Sequence, residues 1–211
     1  MNFWKNKKQL IQMRTEILHL EAENEQLISD KNQLKYNLKC MERQNAYLSR
    51  IMALTHRDEA IVKTFFQDQK LYAVTITTVY NYKGQLTEAH FYLYRITKDV
   101  SSSQRNLNHI WLKPQYREES DLERLEYVEI IEFVGRGGEL GKGYGSLNLS
   151  VMLEFVKEAF GEKTTIKGWL SPFDERSENN KNRRNHVYEK FGFKFEEGWV
   201  VLDDLSNLEK F

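Results

Sequence analysis

The stretch Tyr127–Phe160 reads YVEIIEFVGRGGELGKGYGSLNLSVMLEFVKEAF. Its first eight residues, to Val134, are rich in branched apolar side chains and read as a strand. A loop follows with Gly135, Gly137, Gly138, Gly141, Gly143 and Gly145, six of the chain's eleven glycines. So dense a run marks backbone that needs left-handed geometry or close approach by a ligand. After it, Leu147, Leu149, Val151, Met152, Phe155, Val156 and Phe160 continue without a breaker, broadly at helical spacing. A strand that passes through a glycine loop into a helix aims several backbone N–H groups at one place. The orphan amides of the first turn and the helix dipole both favour negative charge there.

Two familiar phosphate loops are excluded by spacing. From Gly137 to Lys142 the chain approaches GxxxxGK[ST], but the register fails and Gly143 stands where Ser or Thr is required. GxGxxG fails as well, because Gly141, Gly143 and Gly145 alternate. The alternating run Gly141-Lys142-Gly143-Tyr144-Gly145-Ser146 instead resembles the pyrophosphate loop of the GNAT N-acetyltransferases, [RQ]xxGx[GA], which opens the helix after the family's fourth strand. Gly143 and Gly145 match its two small positions, and Leu140 replaces the Arg or Gln. Arg136 and Lys142 are alternative cations.

A second segment, Asn180–Phe195 (NKNRRNHVYEKFGFKF), is similar to the GNAT pattern N-x-x-A-x-x-x-Y-E-K-x-G-F. Tyr188, Glu189, Lys190, Gly192 and Phe193 match as they stand. Lys181 holds the place of the Asn, with Asn180 and Asn182 on either side, and Arg184 replaces the small residue. Between the two motifs lie one helix and one strand, Thr164–Leu170.

The resemblance covers at best the last two-thirds of the chain. It implies an α/β (α+β) fold: a mixed, mostly antiparallel sheet with flanking helices. Acetyl-CoA would be the co-substrate, touched by Phe133, Val134, Leu140, Gly141, Lys142, Gly143, Tyr144, Gly145, Ser146, Asn182 and Tyr188. In that family the fourth and fifth strands splay apart around the pantetheine arm. The implied reaction is direct transfer of acetyl from the thioester to an amine, which needs a base, oxyanion donors and an acid for the thiolate. Tyr188 occupies the family's acid position, and backbone N–H groups near Val134 would meet the oxyanion. For the base, Glu129 and Glu132 are three apart, so on a regular strand only one can face the acceptor; Glu132, nearer the loop, is preferred. A non-catalytic GNAT-like acyl-CoA-binding or scaffold module is the alternative function.

Leu71–Tyr82 and Ala89–Ile96 alternate β-branched and aromatic residues about Lys83-Gly84 and read as an antiparallel hairpin, the second and third strands of the implied plan. The family's first strand and its two following helices, which wall the acceptor site, have no evident counterpart ahead of that hairpin. Asp99–Asn108 reads as loop or short helix, Ile110–Leu112 is ambiguous, and Pro114 interrupts it. Glu118–Glu126 reads as a charged helical turn or extended linker. Phe193–Val201 reads as a strand pair turning at Glu197-Gly198, and Ile51–Lys70 as helix continuing into a linker.

Gln9–Arg50 contains neither Gly nor Pro and keeps a seven-residue period. With Leu10 at a, the a series is Leu10, Ile17, Asn24, Lys31, Leu38, Asn45 and the d series is Met13, Leu20, Leu27, Leu34, Met41, Leu48. Leucine at d with an occasional polar a residue is the pattern of a parallel two-stranded coiled coil, in which Asn24 and Asn45 would fix register. Asp30 at g can reach Lys35 at e of a partner, whereas Glu16 faces Glu21. The expected division is a coiled-coil dimerisation helix over 1–66 and a GNAT-like domain over 67–211.

Charge is balanced, 31 basic against 31 acidic residues, and no basic helix precedes the heptads, which argues against nucleic acid. Lys181, Arg183 and Arg184 read first as a solvated helix end. The single Cys40 excludes an internal disulfide and fits a reducing, cytoplasmic compartment. No apolar run is long enough to span a membrane, and Met1–Lys8 lacks a signal-peptide core. The histidines show no metal-ligand spacing, so no metal site is expected.

Overall fold

The computed structural model describes residues 2–55, 59–97, 106–119, 122–135, 141–171, 177–206 and 208. The chain divides into two compact units, Met1–Ser49 and Arg50–Phe211. The first is almost all of helix α1, Asn2–Thr55, whose 54 residues make a rod about 80 Å long. Its described heptad residues Met13, Ile17, Leu20, Leu27, Leu34, Leu38, Met41 and Leu48 are all exposed in the single chain.

The second unit is built on one eight-stranded sheet in the order β1-β2-β3-β4-β5-β6-β8-β7. The strands are β1 Ala60–Gln67, β2 Lys70–Tyr80, β3 Leu86–Ile96, β4 Asn106–Glu119, β5 Leu122–Gly135, β6 Ile166–Trp169, β7 Lys194–Glu196 and β8 Trp199–Leu202. Every neighbouring pair is antiparallel except β5 and β6, which run parallel. Two helices complete the unit, α2 Tyr144–Phe160 and α3 Glu178–Lys190. This is the mixed, mostly antiparallel α+β architecture expected.

Helix α2 lies against one face of the sheet. Leu149, Met152, Leu153 and Val156 are fully buried there, in one cluster with Phe91, Leu93, Ile110, Leu112, Val128 and Ile130. Each such side chain contributes about 1.5–3 kcal/mol, so this face dominates the stability of the unit. Phe155 adds an edge contact to Phe91. Gly161, at φ 95°, ends the helix, its N–H bonding to the Lys157 carbonyl.

Three expectations are corrected. Residues 106–119 form strand β4 rather than loop, ambiguous segment and linker. Pro114 is tolerated because the β3 ladder ends at Leu112, beyond which β4 needs no donor on that side. The segment expected as helix and linker over 51–70 is helix only to Thr55, and Ala60–Gln67 is an edge strand of the sheet. Finally, counting back from the strand that enters the glycine loop, β5 is fourth, β4 third, β3 second and β2 first. The predicted hairpin is therefore the first and second strands of the implied plan, with β1 an addition. The two helices expected between those strands are replaced by a turn, closed by Asn81 N–H to Gln85 C=O at 2.9 Å.

Candidate functional site

The glycine loop meets α2 as the spacing implied. Gly141 and Gly143 sit at φ 82° and 79°, left-handed values that strain any L side chain, and an added Cβ at either would meet open space. The constraint is backbone shape, and the room is left for something else. Gly143 is the N-cap of α2 without a side-chain cap, and the first turn carries no acid, so its amides face whatever anion lies ahead of them. Gly145 answers a different need. A Cβ there would lie 3.1 Å from Phe133 Cζ, so glycine lets helix and strand approach.

In front of this turn opens a cleft of about 870 Å³. Phe133, Val134 and Gly135 of β5, Leu107 and Asn108 of β4, the loop glycines and Ser146 line it on one side. Asn182, Arg183, Arg184, His186 and Lys190 of α3 line the other. The Lys181–Arg184 cluster read as a solvated helix end thus lends both arginines to the cleft. Volume and lining suit a ligand with an anionic end and an apolar arm.

Beside the cleft the sheet parts. The parallel β5–β6 ladder holds only Val128↔Ile166, Glu129↔Lys167 and Ile130↔Gly168. From Ile131 onward β5 has no β6 partner, at the place where the resemblance implies a splay. The parted end of β5 is fixed from behind by a buried amide chain. Asn148 of α2, fully buried, donates to Asn108 Oδ1 at 2.8 Å and to Phe91 C=O at 3.3 Å; Asn108 donates to Val134 C=O at 3.1 Å. Neither Asn was singled out from sequence. Asn148 hides within an apolar helical run, where its polarity was the only signal.

The named residues fall into three groups. Phe133, Val134, Gly141, Gly143, Tyr144, Gly145, Ser146 and Asn182 line the cleft. Tyr144 turns its ring into the core, where its hydroxyl lies 3.1 Å from that of Tyr72. Lys142 is exposed and not among the lining residues. Leu140, with Arg136, lies outside the described residues. Tyr188 is buried, its ring edge-on to Phe133 at 5.7 Å and to Phe193 at 5.0 Å. It does not line the cleft itself, but Val187 and Phe191 on either side of it along the chain do.

The carboxylates differ from expectation. Trp111 pairs with Glu132 but Leu112 pairs with Ile130, so Ile131 is a one-residue bulge on β5. The bulge shifts the alternation by one residue. Val128, Ile130 and Phe133 share the α2 face, and both Glu129 and Glu132 lie on the other, opposite Lys113 and Trp111. The regular-strand rule that separated them fails at this point. Glu129 accepts from Gln115 Nε2 at 2.8 Å. Glu132 Oε2 lies 2.8 Å from Nδ1 of the buried His109. Nearby, burial and the Glu129 and Glu126 charges push the Tyr127 phenol above its ordinary value, so it stays protonated. Among the described residues no cluster of His, Cys, Asp and Glu could hold a metal ion.

No family model matches the chain, and no curated protein matches it in sequence. Solved structures with a similar trace include the AtaT toxin bound to the C-terminus of the antitoxin AtaR and acetyl-CoA. That similarity is 14% identity and a TM-score of 0.37, over 55% of this chain and 67% of that one. The KacTA–DNA complex gives 15% and 0.37 over 55% and 67%. A protein from Desulfovibrio desulfuricans described as an acetyltransferase of the GNAT family gives 11% and 0.40 over 57% and 71%.

Proposed function

We propose that the chain is an acetyl-CoA-dependent N-acetyltransferase of GNAT type that assembles as a parallel dimer through α1. One observation carries the reading: a left-handed glycine turn at an uncapped helix start opens on a cleft lined by the end of β5 that lies past its last β6 pair. The first-turn amides of α2 would receive the pyrophosphate, with Arg183, Arg184 and Lys190 as cations at the rim. The pantetheine arm would lie along Phe133 and Val134, where β5 has no β6 partner.

In the reaction the amine nitrogen bonds to the thioester carbonyl carbon, and the C–S bond breaks. The ammonium proton goes to a base and the thiolate takes a proton from an acid. Glu132 is the proposed base, supported by its place at the bulge just past the last parallel pair. Tyr188 is the proposed acid, supported by its contact with Phe133 on the cleft floor. Val134, whose carbonyl Asn108 holds, is the proposed oxyanion position. Leu140 and Lys142 stay in the proposed coenzyme set on the motif alone.

The dimer is supported by the eight exposed apolar heptad residues of α1, which an isolated helix would leave in water. Light scattering of the wild type and of a Leu20→Asp, Leu27→Asp variant tests it: a dimer that becomes a monomer supports it, an unchanged mass contradicts it. The same proposal divides the chain into the dimerisation helix α1 and an acetyltransferase domain; the boundary expected at 66/67 falls inside β1, Ala60–Gln67, so the domain begins ahead of that strand. A cytoplasmic site is supported by the lone cysteine. No described helix is long and apolar enough to cross a membrane.

The absence of helices at the Asn81–Gln85 turn favours one alternative, a module that binds acyl-CoA without turning it over. Thiol release from acetyl-CoA against a panel of primary amines (spermidine, tyramine and a lysine-containing peptide) separates the two. The enzyme reading expects release that falls about a hundredfold in Tyr188→Phe. Binding without release on any amine favours the module.

A further inference from the structure

On the sheet face away from α2, side chains of three strands form a row that the proposed chemistry has used only at one end. His109 of β4 pairs directly with Tyr92 of β3, and His90 of β3 with Trp111 of β4. The cross-strand partners stack, Tyr92 on His109 at 4.6 Å and His90 on Trp111 at 5.3 Å. On the diagonal, His90 Nδ1 and His109 Nε2 are 3.2 Å apart, with ring planes within 2° and centroids 5.5 Å apart. That separation is what two imidazoles span when joined nitrogen to nitrogen, so these rings lie side by side in one plane. The row continues at both ends: His109 Nδ1 to Glu132 Oε2 at 2.8 Å, and His90 Nε2 to Glu88 Oε2 at 3.5 Å.

The contact of His109 Nδ1 with Glu132 Oε2 is short but bent away from regular hydrogen-bond geometry in this structure. A carboxylate that close still favours a proton on Nδ1 over a lone pair. The 3.2 Å contact between the two rings needs one proton, which either imidazole can supply. The stacks on Tyr92 and Trp111 set the plane of both rings. A small turn of the half-exposed Glu132 carboxylate would complete the bond to Nδ1.

We infer that His109 and His90 are positioning residues for the Glu132 carboxylate, holding one oxygen so that the other faces the incoming amine. The inference rests on Glu132 acting as base in the reaction proposed above. The pair itself takes no proton from substrate. Lys113 and Glu129, the next charged side chains on β4 and β5, sit one alternation further along the same face, with Glu129 engaged by Gln115.

The test uses the full chain and the same three probe amines. His109→Phe keeps a ring against Tyr92 and removes the N–H; His109→Asn restores a donor near the Nδ1 position. The expected result is a fall in kcat of about ten- to a hundredfold in His109→Phe, with the KM for acetyl-CoA unchanged. Most of the loss should be recovered in His109→Asn, and His90→Phe should lose less than His109→Phe. Nitrogen-15 spectra of the wild type should show His109 protonated at Nδ1. Wild-type turnover in His109→Phe, equal losses in Phe and Asn variants, or a His109 without a proton on Nδ1 overturns the inference. A wild type that binds acetyl-CoA and acetylates none of the probes overturns the enzyme reading instead, and this one with it.

Discussion

The two faces of the central sheet obey different rules. The face under α2 is apolar and close-packed: Phe91, Leu93, Ile110, Leu112, Val128 and Ile130 meet a helix whose entry is set by glycine. The other face carries imidazole, indole, phenol and carboxylate in cross-strand contact. Whether Glu132 stands on it depends on one extra residue of β5, Ile131. A packed apolar face is a matter of composition and period, whereas a polar face that works is a matter of register. The first survives small errors of alignment and the second does not.

The strongest way to break that contrast is to put on the packed face a group that belongs on the other. Ile130, buried against α2, becomes a carboxylate in Ile130→Glu. A carboxylate facing an apolar core without a partner costs about 3–5 kcal/mol. The expected outcome is a melting temperature lower by about 10 °C, given about 2–4 °C per kcal/mol at this size, together with loss of turnover. A variant that melts like wild type would show that the α2 face tolerates charge as the polar face does.

A gentler cut separates the faces by function. Glu132→Gln changes only the polar face, so kcat should fall about a hundred- to a thousandfold while acetyl-CoA binding and melting temperature stay near wild type. A matching loss of coenzyme affinity would mean the two faces are not independent. Asn148→Ala works from the helix face. It leaves Asn108 Oδ1 and Phe91 C=O without their buried donor, at a cost of about 1–3 kcal/mol in urea unfolding. Because Asn108 holds Val134, coenzyme affinity should drop as well; stability loss without affinity loss would detach that chain from the cleft.

The smallest effect is expected far from both faces. The Lys163 ammonium and Ser206 hold the Asp204 carboxyl well below its usual range, and the same pair raises Lys163. A depressed carboxyl stabilises the fold above its unfolded pKa, and that stabilisation fades as pH falls through the folded value. For the raised lysine the benefit is complete below its unfolded pKa and lost as pH climbs past the folded one. Both groups are solvent-exposed, so Asp204→Asn should shift melting only marginally at pH 7, and not at all in strong acid. A large shift would mean the pair is shielded.

How much of this was legible follows the same division. The strand–glycine loop–α2 unit, the β2–β3 hairpin and the turn at Glu197-Gly198 announce themselves locally, through glycine, β-branching and helical period. Strand β4 did not, because Pro114 and the polar run around Asn106 and Asn108 hide it. The pair His90 and His109 is nineteen residues apart and shows no spacing signal; only the β3–β4 register brings their nitrogens together. Glu132 was picked out for its nearness to the loop, and its placement was argued from an alternation that Ile131 interrupts.

The central claim is that the left-handed turn at Gly143 is where an acyl-CoA binds. Calorimetry with acetyl-CoA on the wild type and on Gly143→Trp tests it most directly, with circular dichroism on the same samples to establish folding. The account predicts binding of about micromolar strength in the wild type and none in the folded variant, because a side chain there both strains the turn and fills the space ahead of α2. A well-folded wild type that does not bind, or a Gly143→Trp variant that binds as tightly, would contradict it.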